Sequence, residues 1–74
     1  MNTPYSRYDR TAVYMLAEQV SRASRLADGP ISYYHAKADV IEWLNRGYTL
    51  GQLPGIYREH YGAETWTAAA RVTP

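Results

Sequence analysis

The chain has 74 residues, which is enough for one domain and excludes an active site built between two domains. It has no cysteine, so a disulfide framework and a thiolate metal site are both excluded. Eight basic residues against seven acidic ones give a formal net charge of +1, which is too balanced for binding that rests on phosphate neutralisation alone.

The first predicted helix covers about residues 7–27. Ser6 followed by Asp9 resembles a capping box, which predicts Ser6 as the N-cap. Gly29 stands where a left-handed glycine commonly ends a helix, and Pro30 prevents the helix from continuing. Helical periodicity predicts a core stripe of Val13, Leu16, Ala17, Val20, Ser24 and Ala27. It predicts an opposite, charged face of Arg10, Tyr14, Glu18, Ser21, Arg22 and Arg25.

The second predicted helix runs from about residue 33 to residue 46, with Ser32 as N-cap and Gly47 at its C-terminal end. Its polar face is narrow and consists of His35, Asp39, Glu42 and Arg46. The remaining, largely apolar sector spans roughly 220°, which is wider than the ~100° needed to cover one core. The helix is therefore either central in the fold or in contact with another chain, and the second case predicts a homodimer.

Two short helices are predicted to follow. Thr49 to Gln52 reads as a capping box, but Pro54 would then fall inside the helix, so we place the third helix at about residues 54–61. Its inward residues, with those just before it, should be Leu50, Leu53, Ile56, Tyr57 and Tyr61. After Gly62, a last helix at about 63–71 has Trp66 as its only large apolar anchor. The sequence thus predicts a single all-α domain over residues 1–74, a compact three- or four-helix bundle with short connections.

The sequence carries no pattern typical of an enzyme. There is no cysteine nucleophile, no nucleophile-elbow serine and no Gly-rich phosphate loop. His35 and Asp39, with His60, are a candidate metal set, but a zinc site needs three or four convergent ligands with supporting hydrogen bonds. We interpret His35 and Asp39 as a solvated pair, and we expect no catalysis, no metal and no cofactor.

The composition instead favours a binding surface. Eight Tyr and two Trp accompany no Phe, and all basic residues except Lys37 are arginine. Tyr, Trp and Arg are enriched at binding hot spots, although a GC-rich genome would equally account for the arginines. Lys37 lies in the apolar sector of the second helix, where it either extends its ammonium group into water or meets an acidic partner beside a tyrosine-lined patch.

We therefore expect a small, non-enzymatic helical protein that binds a larger protein as an inhibitor, adaptor or accessory regulator. Arg and Tyr on one helix face offer cation–π contacts, bidentate hydrogen bonds and a large contact area. The predicted partner-binding residues are Tyr5, Arg7, Tyr8, Arg10, Tyr14, Arg22 and Arg25. Size and composition are like those of many phage and mobile-element products. No apolar stretch is long enough to span a membrane or to form a secretory signal, so we expect a soluble, cytoplasmic protein.

Direct DNA binding is the alternative. Residues 49–71 loosely resemble a helix-turn-helix, in which the last helix would enter the major groove through Thr65, Thr67 and Arg71. Pro54 and Gly55 interrupt the first helix of that motif, and the candidate recognition helix carries one basic and one acidic residue. Because specific DNA-binding proteins usually show a strong basic patch, nucleic acid is the less favoured partner.

Overall fold

A short amino-terminal turn precedes the first long helix, so the chain enters the bundle differently from the prediction. The computed structural model describes residues 3–71 and forms all of its regular structure from helices, with no strand within that range. The elements are a 3₁₀ helix Pro4–Arg7, then α1 Arg10–Leu26, α2 Tyr33–Asn45, α3 Leu53–Tyr61 and α4 Ala63–Ala70. The all-α fold is confirmed, and the radius of gyration of 12.0 Å is close to the ~11 Å of a compact chain of this length.

The start of α1 corrects the predicted capping. Asp9, not Ser6, is the N-cap, and its Oδ1 accepts a hydrogen bond from the Thr11 N–H at 2.8 Å. The Ser6 hydroxyl instead donates to the Thr3 carbonyl at 2.7 Å, within the turn that precedes the helix. Tyr8 is extended, with φ −102° and ψ 152°, and this separates the 3₁₀ helix from α1. The helix was predicted to begin at about residue 7 because the sequence carries no breaker between Ser6 and Asp9.

The end of α1 is also shifted by one residue. The left-handed residue is Asp28, at φ 61°, rather than Gly29. The Asp28 N–H bonds to the Arg25 carbonyl at 3.1 Å and the Gly29 N–H to the Ser24 carbonyl at 2.9 Å, which is a Schellman motif. Aspartate is one of the few non-glycine residues that tolerate this backbone conformation. Ala27, predicted to lie in the core, is exposed at this helix end.

The predicted ends of α2 are close to the observed ones. The Ser32 hydroxyl oxygen accepts from the His35 N–H at 3.1 Å, and Gly47 adopts φ 101° just after the helix. Glu42 and Arg46, both on the predicted polar face, form an i, i+4 ion pair at 3.2 Å. Local signals therefore defined this helix well.

The capping-box pattern before α3 forms a separate turn. The Gln52 Oε1 accepts from the Thr49 N–H at 2.9 Å, and α3 begins only at Leu53. Pro54 lies in the first turn of α3, where its missing N–H has no intrahelical partner to lose. Gly62, at φ 94°, ends α3 and is the only residue between α3 and α4.

The core is organised around α1, which packs against α2 on one side and α4 on another. Trp66 is only 6% exposed and anchors α4 as predicted. The buried apolar residues are Val13, Leu16, Ala17, Val20, Ala23, Ala36, Val40, Leu44, Leu53, Tyr57, Trp66 and Ala69. No helix within residues 3–71 combines the length and the apolar character that crossing a membrane requires.

Two buried serines fasten the loop between α1 and α2. The Ser24 hydroxyl accepts from the Ile31 N–H at 3.0 Å and donates to the Ser21 carbonyl at 2.6 Å. The Ser21 hydroxyl donates to the Ile31 carbonyl at 3.0 Å. Ser21 was assigned to the charged face of the first helix, and that was wrong, because it is only 5% exposed.

Candidate binding surface

The polar side of α1 does not form one continuous solvent-facing surface. Arg22 belongs to the fold: its Nε donates to the Ala69 carbonyl at 2.9 Å, and its guanidinium pairs with Glu18 at 3.3 Å. Because the Ala69 carbonyl lies at the end of α4, where the helix dipole is negative, a cation is favourable there. Arg22 thus fastens α4 to α1 and has less freedom to contact a partner than predicted.

Tyr14 points instead toward α2. Its ring meets the ring of Tyr33 edge to face, with centroids 6.5 Å apart and an interplanar angle of 69°. The ammonium of Lys37 lies over the Tyr14 ring, 4.8 Å from the centroid. Tyr14 is therefore half-buried and forms part of the junction between the two longest helices.

The series of contacting aromatic rings continues outward from the junction of α1 and α2. Tyr33 contacts Tyr34 edge to face, with centroids 5.4 Å apart and an angle of 73°. Tyr34 is 76% exposed, the highest exposure among the large apolar and aromatic side chains of residues 3–71. Three tyrosines thus run from a half-buried position at the helix junction to an open one on the surface.

Arg25 extends the same region along α1. It lies in the last turn of the helix and lines a shallow groove together with Tyr33 and the loop residue Pro30. Within residues 3–71, no carboxylate approaches Arg25 or Lys37 to within 4.0 Å. We call this region the basic tyrosine surface, defined by Tyr14, Arg25, Tyr33, Tyr34 and Lys37.

The remaining predicted binding residues lie around the amino-terminal turn. Tyr5 and Tyr8 are half-buried and pack against the core, and the Tyr5 N–H donates to Asn45 Oδ1 at 3.2 Å. Arg7 and Arg10 are exposed. Arg10 lies one turn before Tyr14 on the same side of α1, so it borders the basic tyrosine surface.

Tyr33 and Tyr34 were not among the predicted binding residues because both were assigned to the apolar sector of the second helix. The signal that could have found them was Lys37, a lone cation one turn after Tyr33. In the structure Lys37 is half-buried and its ammonium lies over the Tyr14 ring, whereas its contact with an acidic partner stays a prediction.

A second polar–aromatic cluster lies between α2 and α3. Asp39 was interpreted as solvated beside His35, but it is half-buried and accepts a hydrogen bond from the Tyr57 hydroxyl. The Tyr57 ring stacks on Trp66 with centroids 5.8 Å apart and an angle of 18°. Burial and the hydrogen bond to Asp39 raise the pKa of Tyr57 far above its usual value. Burial and the charge of Asp39 also raise the pKa of Tyr61.

The part of the chain that the structure describes has no group of three or more His, Asp or Glu side chains placed to share a metal ion. Asp39 is turned toward Tyr57 of α3, whereas His35 is exposed in the first turn of α2. His35 and Asp39 therefore lie one turn apart on α2, and Asp39 also contacts α3 through Tyr57.

The helix-turn-helix alternative places its candidate residues on α4 and just after it. Thr67 and Arg71 are exposed and share a shallow depression with Glu64, whereas Thr65 is half-buried. Gly62 alone joins α3 to α4, which is shorter than the three- to four-residue turn typical of that motif. The charge of Arg71 is offset by that of Glu64 in the same depression.

Comparison with known proteins finds no match to this chain among family models, curated proteins or solved structures. Function is therefore inferred from the contacts and charges described above.

Proposed function

We propose that this protein is a non-enzymatic helical binding protein that occupies an acidic surface on a larger protein, as an inhibitor, adaptor or accessory regulator. The observation that carries the proposal is the basic tyrosine surface. Two cations, Arg25 and Lys37, lie beside three tyrosines without a carboxylate partner in the described chain. A protein surface with exposed carboxylates would supply the missing opposite charges.

The energetics of such a contact favour this surface. Tyr34 exposes most of its ring, so covering it would remove a large apolar area from water. Tyr33 and Tyr14 are already held by edge-to-face contacts, so they lose little rotamer freedom when a partner binds. Arg25 can donate two parallel hydrogen bonds to a carboxylate.

The small number of cations on the basic tyrosine surface favours a protein over a DNA duplex as the partner. Arg25 and Lys37, with Arg10 at the border, offer three cations, whereas salt-dependent DNA binding typically engages about 6–10 phosphates. Tyrosine-rich, moderately basic surfaces are more typical of protein contacts. The DNA alternative rests on the loose helix-turn-helix resemblance of residues 49–71, with Thr67 exposed on α4 and Arg71 exposed just after it. A steep loss of affinity for a DNA fragment with rising salt would support that alternative, and no binding at low salt would remove it.

A homodimer through α2 is a further proposal. Ala36, Val40 and Leu44, part of its wide apolar sector, are buried within the monomer. Tyr34 and Ala38 remain exposed on that helix, so a second copy would have to use the basic tyrosine surface itself. Light scattering over a range of concentrations tests this: a monomer mass at every dilution rules the homodimer out. A cytoplasmic location stays an expectation from the sequence, and a phage or mobile-element origin rests on size and composition.

A charge-reversal comparison tests the proposed surface. The double variant Arg25→Glu/Lys37→Glu should weaken capture of the partner from an extract of the native host by roughly 30-fold, the equivalent of ~2 kcal/mol. The control Arg58→Glu/Arg71→Glu makes the same change in net charge at exposed positions on α3 and after α4. That control should retain the partner. Equal capture by the two double variants would contradict the proposed surface, and loss in the control alone would move the interface to α3 and α4.

A further inference from the structure

A small cavity between α2 and α3 is lined by a combination of side chains that the proposed protein contact does not use. Its volume is about 220 Å³. One carboxylate, Asp39, and three aromatic residues, Trp43, Tyr57 and Tyr61, line it together with His60 and aliphatic side chains. Lys37 and Asp39 are two residues apart on α2, about 200° around the helix, so this cavity and the basic tyrosine surface lie on different sides of α2.

Asp39 places negative charge in this half-enclosed, mostly apolar space. The carboxylate accepts a hydrogen bond from the Tyr57 hydroxyl, and no basic side chain within residues 3–71 lies within 4.0 Å of it. Tyr61 lines the same cavity, and burial together with the charge of Asp39 raises the pKa of its hydroxyl. A carboxylate partly removed from water without a cation is costly, so a positively charged ligand would be favourable here.

The aromatic walls are held in place before any ligand arrives. Tyr57 is fixed by its hydrogen bond to Asp39 and by stacking on Trp66. The Trp43 ring packs edge to face against Tyr48, at 4.9 Å, and the Arg46 guanidinium lies over it at 5.8 Å. That contact places one cation over the Trp43 ring, where Glu42 also pairs with it. A rigid wall keeps the entropic cost of binding low.

The side chains that line the cavity favour a quaternary ammonium over other cations. A metal ion needs several oxygen or nitrogen ligands, and this cavity has a single carboxylate and one imidazole. An ammonium or guanidinium group would bury N–H donors with too few acceptors. A quaternary ammonium has no N–H to satisfy, and aromatic rings with a carboxylate recognise it through cation–π and charge attraction. Drug-sized ligands need about 300–1,000 Å³, so only a small headgroup fits.

We propose that this cavity is an aromatic cage that binds a quaternary ammonium headgroup, with Asp39 as the counter-charge and Trp43, Tyr57 and Tyr61 as the cation–π wall. The cage is independent of the proposed protein partner and can be tested on the isolated protein. The headgroup is shared by free choline and by a trimethylated lysine side chain, so both are included in the test.

The experiment is a titration of the full chain with choline and with its neutral isostere 3,3-dimethyl-1-butanol, followed by the NMR signals of the two indole N–H groups. The cage predicts a saturable shift of the Trp43 signal with choline and at least 10-fold weaker binding of the isostere. The Trp66 signal, buried behind Tyr57, should move less. Equal binding of choline and the isostere, or no saturable shift with choline, would overturn the proposal.

Three variants locate the binding. Asp39→Asn keeps the shape but removes the charge, and should weaken choline binding at least 10-fold. Tyr61→Leu removes one half-buried ring and should also weaken it; it keeps the test decisive if Asp39→Asn fails to fold. Glu64→Gln, which removes an exposed carboxylate of α4 outside the cavity lining, is the matched control and should bind as the wild type does. Wild-type affinity in Asp39→Asn and Tyr61→Leu would overturn the cage.

A parallel titration with a trimethyllysine peptide separates the two sources. Tighter binding of the peptide than of choline supports a modified protein as the source of the headgroup, and tighter binding of choline supports a free small molecule. An unmodified lysine peptide is the control and should bind at least 10-fold more weakly than its trimethylated form. Equal binding of the two peptides would contradict recognition of a quaternary ammonium.

Discussion

Tyrosines lie on both sides of α2, beside a positive charge on one side and beside a negative charge on the other. On one side Lys37 lies over Tyr14, and the tyrosines continue outward to the open ring of Tyr34. On the other side Asp39 holds the Tyr57 hydroxyl, and the ring is 5% exposed and stacked on Trp66. The buried tyrosine, Tyr57, has an internal acceptor for its hydroxyl, whereas exposure on the Lys37 side increases from the half-buried Tyr14 to the open ring of Tyr34.

The largest loss of stability is expected when the Trp66 indole, which stacks on Tyr57, is removed. Trp66→Ala should lower the free energy of unfolding by about 3–5 kcal/mol, because a nearly buried indole is lost and a cavity is left. Urea denaturation measures this. Tyr34→Ala is the control from the other side of α2 and should change stability by no more than about 0.5 kcal/mol. Similar losses in the two variants would contradict the difference in burial between the two sides.

The next effect concerns binding by the open side. Tyr34→Ala should weaken the partner complex by about 2 kcal/mol or more, since an exposed ring is predicted to become a buried anchor. Once the partner is identified, calorimetry measures the change. Tyr48→Ala, which removes a tyrosine on the Trp43 side, is the control and should leave the affinity unchanged. Unchanged affinity in Tyr34→Ala would remove Tyr34 from the interface.

Alkaline pH should affect the Asp39 side of α2 selectively. The folded state raises the pKa of Tyr57, so its contribution is fully present below the unfolded pKa of about 10 and is lost as pH rises beyond that value. The free energy of unfolding should then fall by up to about 1.4 kcal/mol per pH unit for this group. Tyr61 adds to the slope in the same direction.

The variant Tyr57→Phe tests that assignment. Below pH 10 it should cost about 1–3 kcal/mol, because Asp39 loses its hydroxyl donor in a half-buried position. Above pH 10 its stability should fall less steeply than that of the wild type. Urea denaturation between pH 8 and pH 11 gives both numbers, and parallel curves for wild type and Tyr57→Phe would contradict the assignment.

The smallest effect belongs to the cation over Tyr14. Lys37→Met keeps the aliphatic length of the side chain but removes its charge, and should lower stability by about 0.5–1 kcal/mol. Thermal unfolding at low salt measures the change. If the stability of Lys37→Met equals or exceeds that of the wild type, the ammonium contributes nothing to the junction and only its role in binding is left.

Local sequence signals predicted the parts of this structure that depend on neighbouring residues. Ser32, Gly47 and Gly62 marked helix ends, and helical periodicity found Val13 and Val20 in the core. The burial of Ser21 was not predictable in this way, because its acceptor is the Ile31 carbonyl ten residues away. Seen from the first helix alone, a hydroxyl at that position is simply polar.

The candidate surface was predicted only in part for the same reason. Periodicity placed Tyr14 and Arg25 on one side of the first helix, and Lys37 was noted as out of place in an apolar sector. Which residues meet them depends on how the helices cross, and that brought Tyr33 to Tyr14. Likewise, Arg22 was predicted to contact a partner, but the packing of α4 places the Ala69 carbonyl 2.9 Å from its Nε.

Site-specific photo-crosslinking can show whether a partner protein contacts the basic tyrosine surface. A benzophenone amino acid in place of Tyr34, in an extract of the native host, should crosslink to one protein, and the same probe in place of Tyr48 should not. Excess unlabelled wild type should compete the product away, whereas excess Arg25→Glu/Lys37→Glu should not. Equal crosslinking from both positions, or equal competition by the charge-reversed variant, would contradict a partner held by the basic tyrosine surface.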